Sequence, residues 1–400
     1  MAGKTMVPVL VAMMLLTGVS NTMLTKYQDK QCVANCDATD PTKRRHLEQP
    51  VWQTVQMFLG EMGCWLVIGV NALYNRFAKR SDAGYQALAA DEPAATEQTE
   101  LISPKPENVL RGRRILLLSL PAICDICGTT LMNVGLLLVA ASIYQMTRGA
   151  LVLFVGLFSV VFLHHRLHLF QWISLGGVVI GVATVGLAGA IYPDTRHGIE
   201  KVLGGEKPTE NSAALTVVGV LLIAGAQIFT ATQFVLEEYI LANSTVDPIT
   251  VVGWEGIFGL LVTLMGMVVM HFFRGRTDEG RNGIFDMAEG WRQMVSSREL
   301  MVSSVLIMIS IGGFNFFGLS VTRSVSATSR STIDTCRTIF IWMASLVLGW
   351  ESFKWLQVAG FVLLVYFTFI FNGIIDPPFE KLRREGPVEE LLHEEPIEHM

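Results

Sequence analysis

Charge is scarce in this sequence: only 16% of its 400 residues are Asp, Glu, Lys or Arg, while 51% are hydrophobic. A soluble domain carries roughly 25% charged residues and keeps a polar stripe on each surface helix. The deficit excludes an ordinary water-soluble fold. A basic excess is also missing. The net charge is −5, and no basic stripe interleaved with aromatics occurs, which excludes nucleic acid as a partner. Cysteines number six, too few for a disulfide scaffold. Cys64, Cys124, Cys127 and Cys336 lie in apolar runs, where they act as small apolar side chains. Cys124-Asp-Ile-Cys127 has redox spacing but no βαβ context, and reads as structural. Cys32 and Cys36 share a hydrophilic loop; they pair if it faces an oxidising lumen and stay free thiols otherwise. Absent too are the metalloprotease helix, the phosphate loop, the nucleophile elbow and the Gly-x-Gly-Asp intramembrane protease motif. Enzyme chemistry, a cofactor and a metal site are therefore not expected. The cluster His164, His165 and His168 beside Arg166 reads as a solvated turn.

What is present is a series of long, almost uncharged runs. Charges gather at 26–49, 76–114, 194–210, 274–299 and 376–400. Between and beside them lie ten hydrophobic spans: 6–25, 51–73, 115–138, 141–163, 169–191, 214–237, 249–273, 300–323, 328–350 and 354–375. A bilayer crossing needs about 20 apolar residues as helix. A barrel would need much shorter alternating segments, so the class is an all-α integral membrane protein in a lipid bilayer. The first run, with Lys4 and Gly18-Val19-Ser20, also fits a cleavable signal peptide. Its apolar stretch continues through Met23 and Leu24, which favours a retained helix. The Lys/Arg rule for orientation returns a tie, 14 against 14.

Five spans precede the 192–213 loop and five follow it, so similar halves would sit inverted in the membrane, a common transporter design. The expected organisation is a first five-helix repeat over 1–191, the connecting loop 192–213, a second repeat over 214–375 and a disordered tail over 376–400. A disordered loop is expected over 76–113. Three stretches match in the same order. Ser142-x-x-Gln145-x-x-Arg148 corresponds to Ser331-x-x-Asp334-x-x-Arg337, Leu169-Phe-Gln171 to Trp355-Leu-Gln357, and Gly60-Glu61 to Trp254-Glu255-Gly256.

Spacing of three places Ser142, Gln145 and Arg148 on one helix face, and likewise Ser331, Asp334 and Arg337. An arginine at membrane depth costs roughly 2.5–3.5 kcal/mol on insertion scales, so it faces a wet cavity or a partner. Asp334 can neutralise Arg337 within its own helix. Arg148 must look elsewhere, to Asp125, Glu61 or Glu255. These six residues are the candidate solute site, with Glu61, Asp125 and Glu255 as proton-coupling candidates. Glu237 and Glu238, at the end of a span, read as solvated at the interface. Gln227 and Gln233 line the interior or bond helix to helix. Gly177-x-x-x-Gly181 is a small-residue packing face, serving the bundle or a homodimer. Tyr85-Gln-Ala-Leu88 and Glu97-Gln-Thr-Glu-Leu101-Ile102 match endolysosomal sorting patterns read by adaptor proteins.

Several stretches resemble the drug/metabolite transporter superfamily: Leu120-Pro-Ala-Ile-Cys-Asp125-Ile-Cys-Gly128-Thr-Thr-Leu-Met132, Gln145-Met-Thr-Arg148-Gly149, Gly156-Leu-Phe-Ser159, Val235-Leu-Glu-Glu238, Ala327-Thr-Ser-Arg330 with Asp334 and Arg337, and Leu348-Gly-Trp-Glu351. Over about 8–375 the chain is most similar to the F-type branch of solute carrier family 35, which includes a lysosomal membrane protein. The resemblance implies ten helices in two inverted repeats, cytosolic termini and alternating access around a cavity lined by spans one to four and six to nine. It leaves the solute open. Nucleotide-sugar transporters of that family carry a Gly-Ala-Leu-Asn-Lys stretch in span nine, where this chain has Asp334, Arg337 and no lysine. The resulting expectation is a secondary transporter of a small polar or charged solute, proton-coupled, in a lysosomal or vacuolar membrane. The competing reading is a non-transporting membrane scaffold that binds protein partners through its tails and loops.

Overall fold

The computed structural model describes residues 2–34, 36, 45–47, 49–86, 112–139, 141–163, 167–191, 211–277, 283, 285–349, 354–373 and 375–376. Its helices are α1 (Ala2–Asp29), α2 (Pro50–Met62), α3 (Cys64–Gln86), α4 (Ser119–Leu138), α5 (Ala141–Thr147), α6 (Leu151–Leu163), α7 (Leu169–Ile191), α8 (Asn211–Asn243), α9 (Pro248–Met270), α10 (Met287–Met294), α11 (Arg298–Ser324), α12 (Ala327–Val347) and α13 (Trp355–Phe371). Seven stretches are long and apolar enough to cross a membrane, and Arg148–Leu163 and Trp355–Phe371 are shorter apolar helices. Leu66, Val70, Met265 and Phe273 are among the many large apolar side chains left exposed. A soluble monomer rarely shows so much apolar surface; lipid covers it here.

Local chemistry sets the helix ends. Pro50 and Pro248 open α2 and α9 at positions that need no backbone donor. Ser297 and Ser326 cap α11 and α12 by accepting from the amides of Leu300 and Ser329, at 3.2 and 3.1 Å. Gly349, at φ 65°, stops α12 in the left-handed conformation that glycine adopts without strain.

Two expected spans change their helical winding part-way along. The second divides into α2 and α3 at Gly63, whose amide is shared between the Leu59 and Gly60 carbonyls at 3.0 and 3.1 Å. The fourth winds as a single turn of 3-10 helix at Arg148–Ala150 between α5 and α6. Its hydropathy is continuous, so composition carries no mark of that turn. The sixth span does not end at 237: α8 runs to Asn243. Polar side chains at 237 and 238 lower the hydropathy without ending the helix, because other helices supply their partners.

Helix pairing follows small residues and apolar faces. α1 lies along α11, α4 along α8 and α7 along α13; α2 packs on both α9 and α11, and α4 also meets α9. The Gly177/Gly181 face is used inside the chain. A side chain on Gly181 would meet the Leu364 amide at 2.8 Å and the Gly360 carbonyl at 3.0 Å. At one end, β1 (Cys32–Ala34) pairs antiparallel with β2 (Arg45–His46), and Cys32 and Cys36 form a disulfide. Leu47, Met294 and Leu300 join Val33 and Trp52 in a small core that ties this hairpin to α10. Of the sorting residues, Leu88, Glu97, Leu101 and Ile102 lie outside the described residues, as does the side chain of Tyr85 at the end of α3. So do His164, His165 and the tail beyond 376.

Candidate functional site

The interior polar network is built on α12. Arg330, Asp334 and Arg337 fall at i, i+4 and i+7, one stripe of the helix, and all three are buried. Arg337 Nη2 lies 2.8 Å from Asp334 Oδ1. The contact is an ion pair rather than a directed hydrogen bond, since Asp334 Oδ1 and Arg337 Nε both lack a hydrogen-bond partner among the described residues. The Arg337 guanidinium rests 4.5 Å from the ring centroid of Phe314 on α11. Its stem passes α1 at Gly18, where an added Cβ would come within 2.5 Å of Arg337 Cδ.

The turn between α5 and α6 brings Arg148 toward the same carboxylate: Arg148 Nη2 is 3.9 Å from Asp334 Oδ2. The ion-pair partner of Arg148 is thus Asp334, across the two halves of the chain, rather than Glu61 or Glu255, while Asp125 acts on it without direct contact. Tyr144, one turn before, places its ring 5.9 Å from the guanidinium. Arg148 keeps 21% of its side chain exposed, against 3% for Arg337. One carboxylate therefore serves two guanidiniums, and the less buried one holds it only loosely. Ser331 is buried on the same helix and donates to the Thr328 carbonyl at 2.7 Å. Ser142 and Gln145 have their backbone in α5, while their side chains lie outside the described residues.

A second group of charges sits where α8 meets α12. Glu237 is fully buried and pairs with Arg330. Gln233 donates to Glu237 at 2.9 Å, and the Phe234 ring lies 3.9 Å from the Arg330 guanidinium. Glu238 is also buried and accepts from the Ala327 amide at 3.2 Å. The expectation of interfacial solvation for both acids is therefore corrected. Each is a turn or more inside α8, and each has a dedicated partner at the start of α12. Sequence reasoning left Arg330 out of the candidate site. Its spacing to Asp334 and Arg337 was the available signal.

Glu61 on α2 and Glu255 on α9 meet at the crossing of those helices. A side chain at Gly256 would strike Glu61 Cβ at 2.8 Å, so the two backbones touch. Asn315 on α11 donates to Glu61 Oε1 at 2.6 Å. Glu255 is buried, and its Oε1 has no partner among the described residues. Asp125 on α4 is half-buried. Its charge interacts with those of Glu237, Arg330 and Arg148, which joins the two groups. Gln227 bonds the Met132 sulfur at 3.3 Å and the Ile223 carbonyl at 3.1 Å, a helix-to-helix role.

A model of the nucleotide-sugar transporter family matches residues 93–315. An uncharacterized protein of Schizosaccharomyces pombe is 37% identical over 365 residues, covering 91% of this chain and 97% of that protein. Solute carrier family 35 member F6 of Homo sapiens is 34% identical over 389 residues, covering 96% and 94%; its Mus musculus counterpart is 34% identical over 393 residues, covering 96% and 95%. Near-complete coverage of both partners at this identity leaves a single placement. The chain belongs to solute carrier family 35, in the F-type branch of the drug/metabolite transporter superfamily, and is a membrane solute transporter rather than an enzyme.

Proposed function

We propose that this protein is a secondary carrier that moves a small polar or charged solute by alternating access between two inverted five-helix repeats, 1–191 and 214–375. In this reading α2 with α3 is one crossing and α5 with α6 another, giving ten, with both termini in the cytosol. The packing pattern supports it. Exchanging each helix with its counterpart in the other half turns α1–α11 into α8–α4, α2–α11 into α9–α4 and α6–α8 into α12–α1; α2–α9 and α7–α13 map onto themselves, and all these pairs are in contact. Two halves related in this way can rock against each other around a fixed centre.

The observation that carries the proposal is the ion pair of Arg148 with Asp334. It joins the halves at the position of the matched motifs, and Arg148 remains partly accessible. A site that both halves share, and that is held loosely, changes its contacts when the halves move. Glu61 and Glu255, at the self-mapping α2–α9 crossing, are the proton-coupling groups in this reading. Burying an isolated carboxylate costs several kcal/mol unless a proton or cation neutralises it. The matched family's name points to nucleotide sugars, yet the match ends at 315, before α12. We therefore leave nucleotide sugars outside the proposal. The 76–113 loop, with its Tyr85/Leu88 and Glu97/Leu101/Ile102 patterns, supports delivery to an endolysosomal or vacuolar membrane.

The test compares the small polar metabolites of isolated lysosomes or vacuoles with and without the protein. A specific solute class should change when the protein is lost, return with the wild type, and fail to return with correctly sorted Arg148→Ala. Full restoration by Arg148→Ala would remove Arg148 from the site, and an unchanged metabolite profile would remove the carrier.

A further inference from the structure

We propose that the transported solute is a small zwitterion, amino-acid-like in carrying one carboxylate and one ammonium, held between Arg148 and Asp125. The inference rests on the carrier reading and deepens it. Most interior charges named above are sealed: Glu61, Glu237, Glu238, Glu255, Arg330, Asp334 and Arg337 are all buried. Asp125 and Arg148 are different, each only partly covered. They are opposite in sign, and each acts electrostatically on the other.

Both charges are left incompletely compensated. Asp334 is shared, with Arg337 at 2.8 Å and Arg148 at 3.9 Å, so the Arg148 end carries an excess of about one positive charge. The Asp125 carboxylate has no hydrogen-bond or ion-pair partner among the described residues; the Thr129 hydroxyl donates to its backbone carbonyl, not to the carboxylate. Counting residues from one contact between α4 and α5 puts the two at neighbouring depths. The Tyr144 hydroxyl on α5 reaches the Met132 sulfur on α4 at 3.9 Å, which brings these two turns near one another. The connection at 139–140 is short, so the two helices run antiparallel. One turn on from Tyr144 is Arg148, and one turn back from Met132 is Gly128. Asp125 is three residues further, about 4.5 Å of helix axis. A solute with an anionic and a cationic group neutralises both ends together. A monoanion leaves Asp125 bare and is repelled by it, a monocation meets the same conflict at Arg148, and a nucleoside diphosphate brings two or more negative charges against Asp125 and Asp334.

The test uses the purified full chain in proteoliposomes, with uptake read by mass spectrometry. The external probe is an equimolar mixture of the twenty L-amino acids, glycylglycine, short-chain carboxylates, short-chain monoamines and UDP-glucose. One or more zwitterions should enter about tenfold faster than into protein-free liposomes, while carboxylates, monoamines and UDP-glucose stay at background. Asp125→Asn and Arg148→Gln should each reduce that uptake by about tenfold, with detergent-solution melting temperatures unchanged. Uptake of a carboxylate, an amine or UDP-glucose alone would overturn the zwitterion and leave the carrier standing. Zwitterion uptake unaffected by Asp125→Asn would overturn the assigned site. Uptake of no probe at all would overturn both readings.

Discussion

Arg330 and Glu237 show how a single residue pair can hold a membrane interior together. Both are sealed from solvent, and Phe234 and Gln233 complete their surroundings. Breaking such a pair by removing one partner leaves an uncompensated buried charge, a cost of about 3–5 kcal/mol. Glu237→Ala should therefore lower the melting temperature sharply in detergent, and the double variant Arg330→Met with Glu237→Leu should recover most of the loss. Equal stability of Glu237→Ala and the wild type would show that the pair is not structural. Glu255 belongs to the opposite category, a buried carboxyl with an unpartnered oxygen. Glu255→Gln keeps its size and removes the titrating group; uptake should persist but lose its dependence on an imposed pH gradient, measured in proteoliposomes with and without an ionophore. At this scale the sequence was legible where spacing alone spoke. The spacing of Ser331, Asp334 and Arg337 on α12 could be read directly, because three-residue spacing has one meaning on a helix. The pairing of Arg148 with Asp334 and of Arg330 with Glu237 could not, since it depends on which helices touch.

Among elements, the glycines decide which helices come close. α7 and α13 meet through Gly177, Gly181 and Gly360, and a Cβ on Gly181 would press on the α13 backbone rather than on a movable side chain. Gly181→Ala should thus cost about 1–3 kcal/mol by overpacking, seen as a lower melting temperature, whereas Gly176→Ala, where an added Cβ meets nothing within 4 Å, should be neutral. Equal effects at both positions would contradict the packing. The small-residue face was legible in the sequence; its partner was not, because a Gly-x-x-x-Gly face serves an intrachain neighbour or a second copy equally well. Helix interruption was the least legible feature. The 3-10 turn at Arg148–Ala150 and the helix division at Gly63 lie inside apolar runs without proline. Hydropathy reports solvation and is blind to a local change in backbone winding. α12 shows the converse: its polar stripe keeps it out of the long apolar class, yet it lies at the centre of the charge network.

For the molecule as a whole, low charge and long apolar runs made the membrane class plain from composition, while orientation stayed undetermined because basic residues divide evenly. The β1–β2 hairpin and α10 form a disulfide-bearing cap, with Trp52 and Trp291 ring centroids 5.5 Å apart. Cytosolic termini would put this cap, and the Cys32–Cys36 bond, on the lumenal side. The same topology puts Asn243 in the cytosol, so the Asn243-Ser-Thr245 sequon should stay unglycosylated. Glycosidase treatment that shifts the electrophoretic mobility of the protein, but not of Asn243→Gln, would reverse the orientation. The central claim is that the interior charges border a path that opens to each side in turn. It is tested most directly by a single cysteine at Thr129, one turn from Asp125, in an otherwise cysteine-free protein reconstituted in liposomes. A membrane-impermeant maleimide should reach that cysteine from either face, and saturating solute should slow both reactions. Labelling from one face only, or from neither, would contradict the carrier and leave a static membrane scaffold.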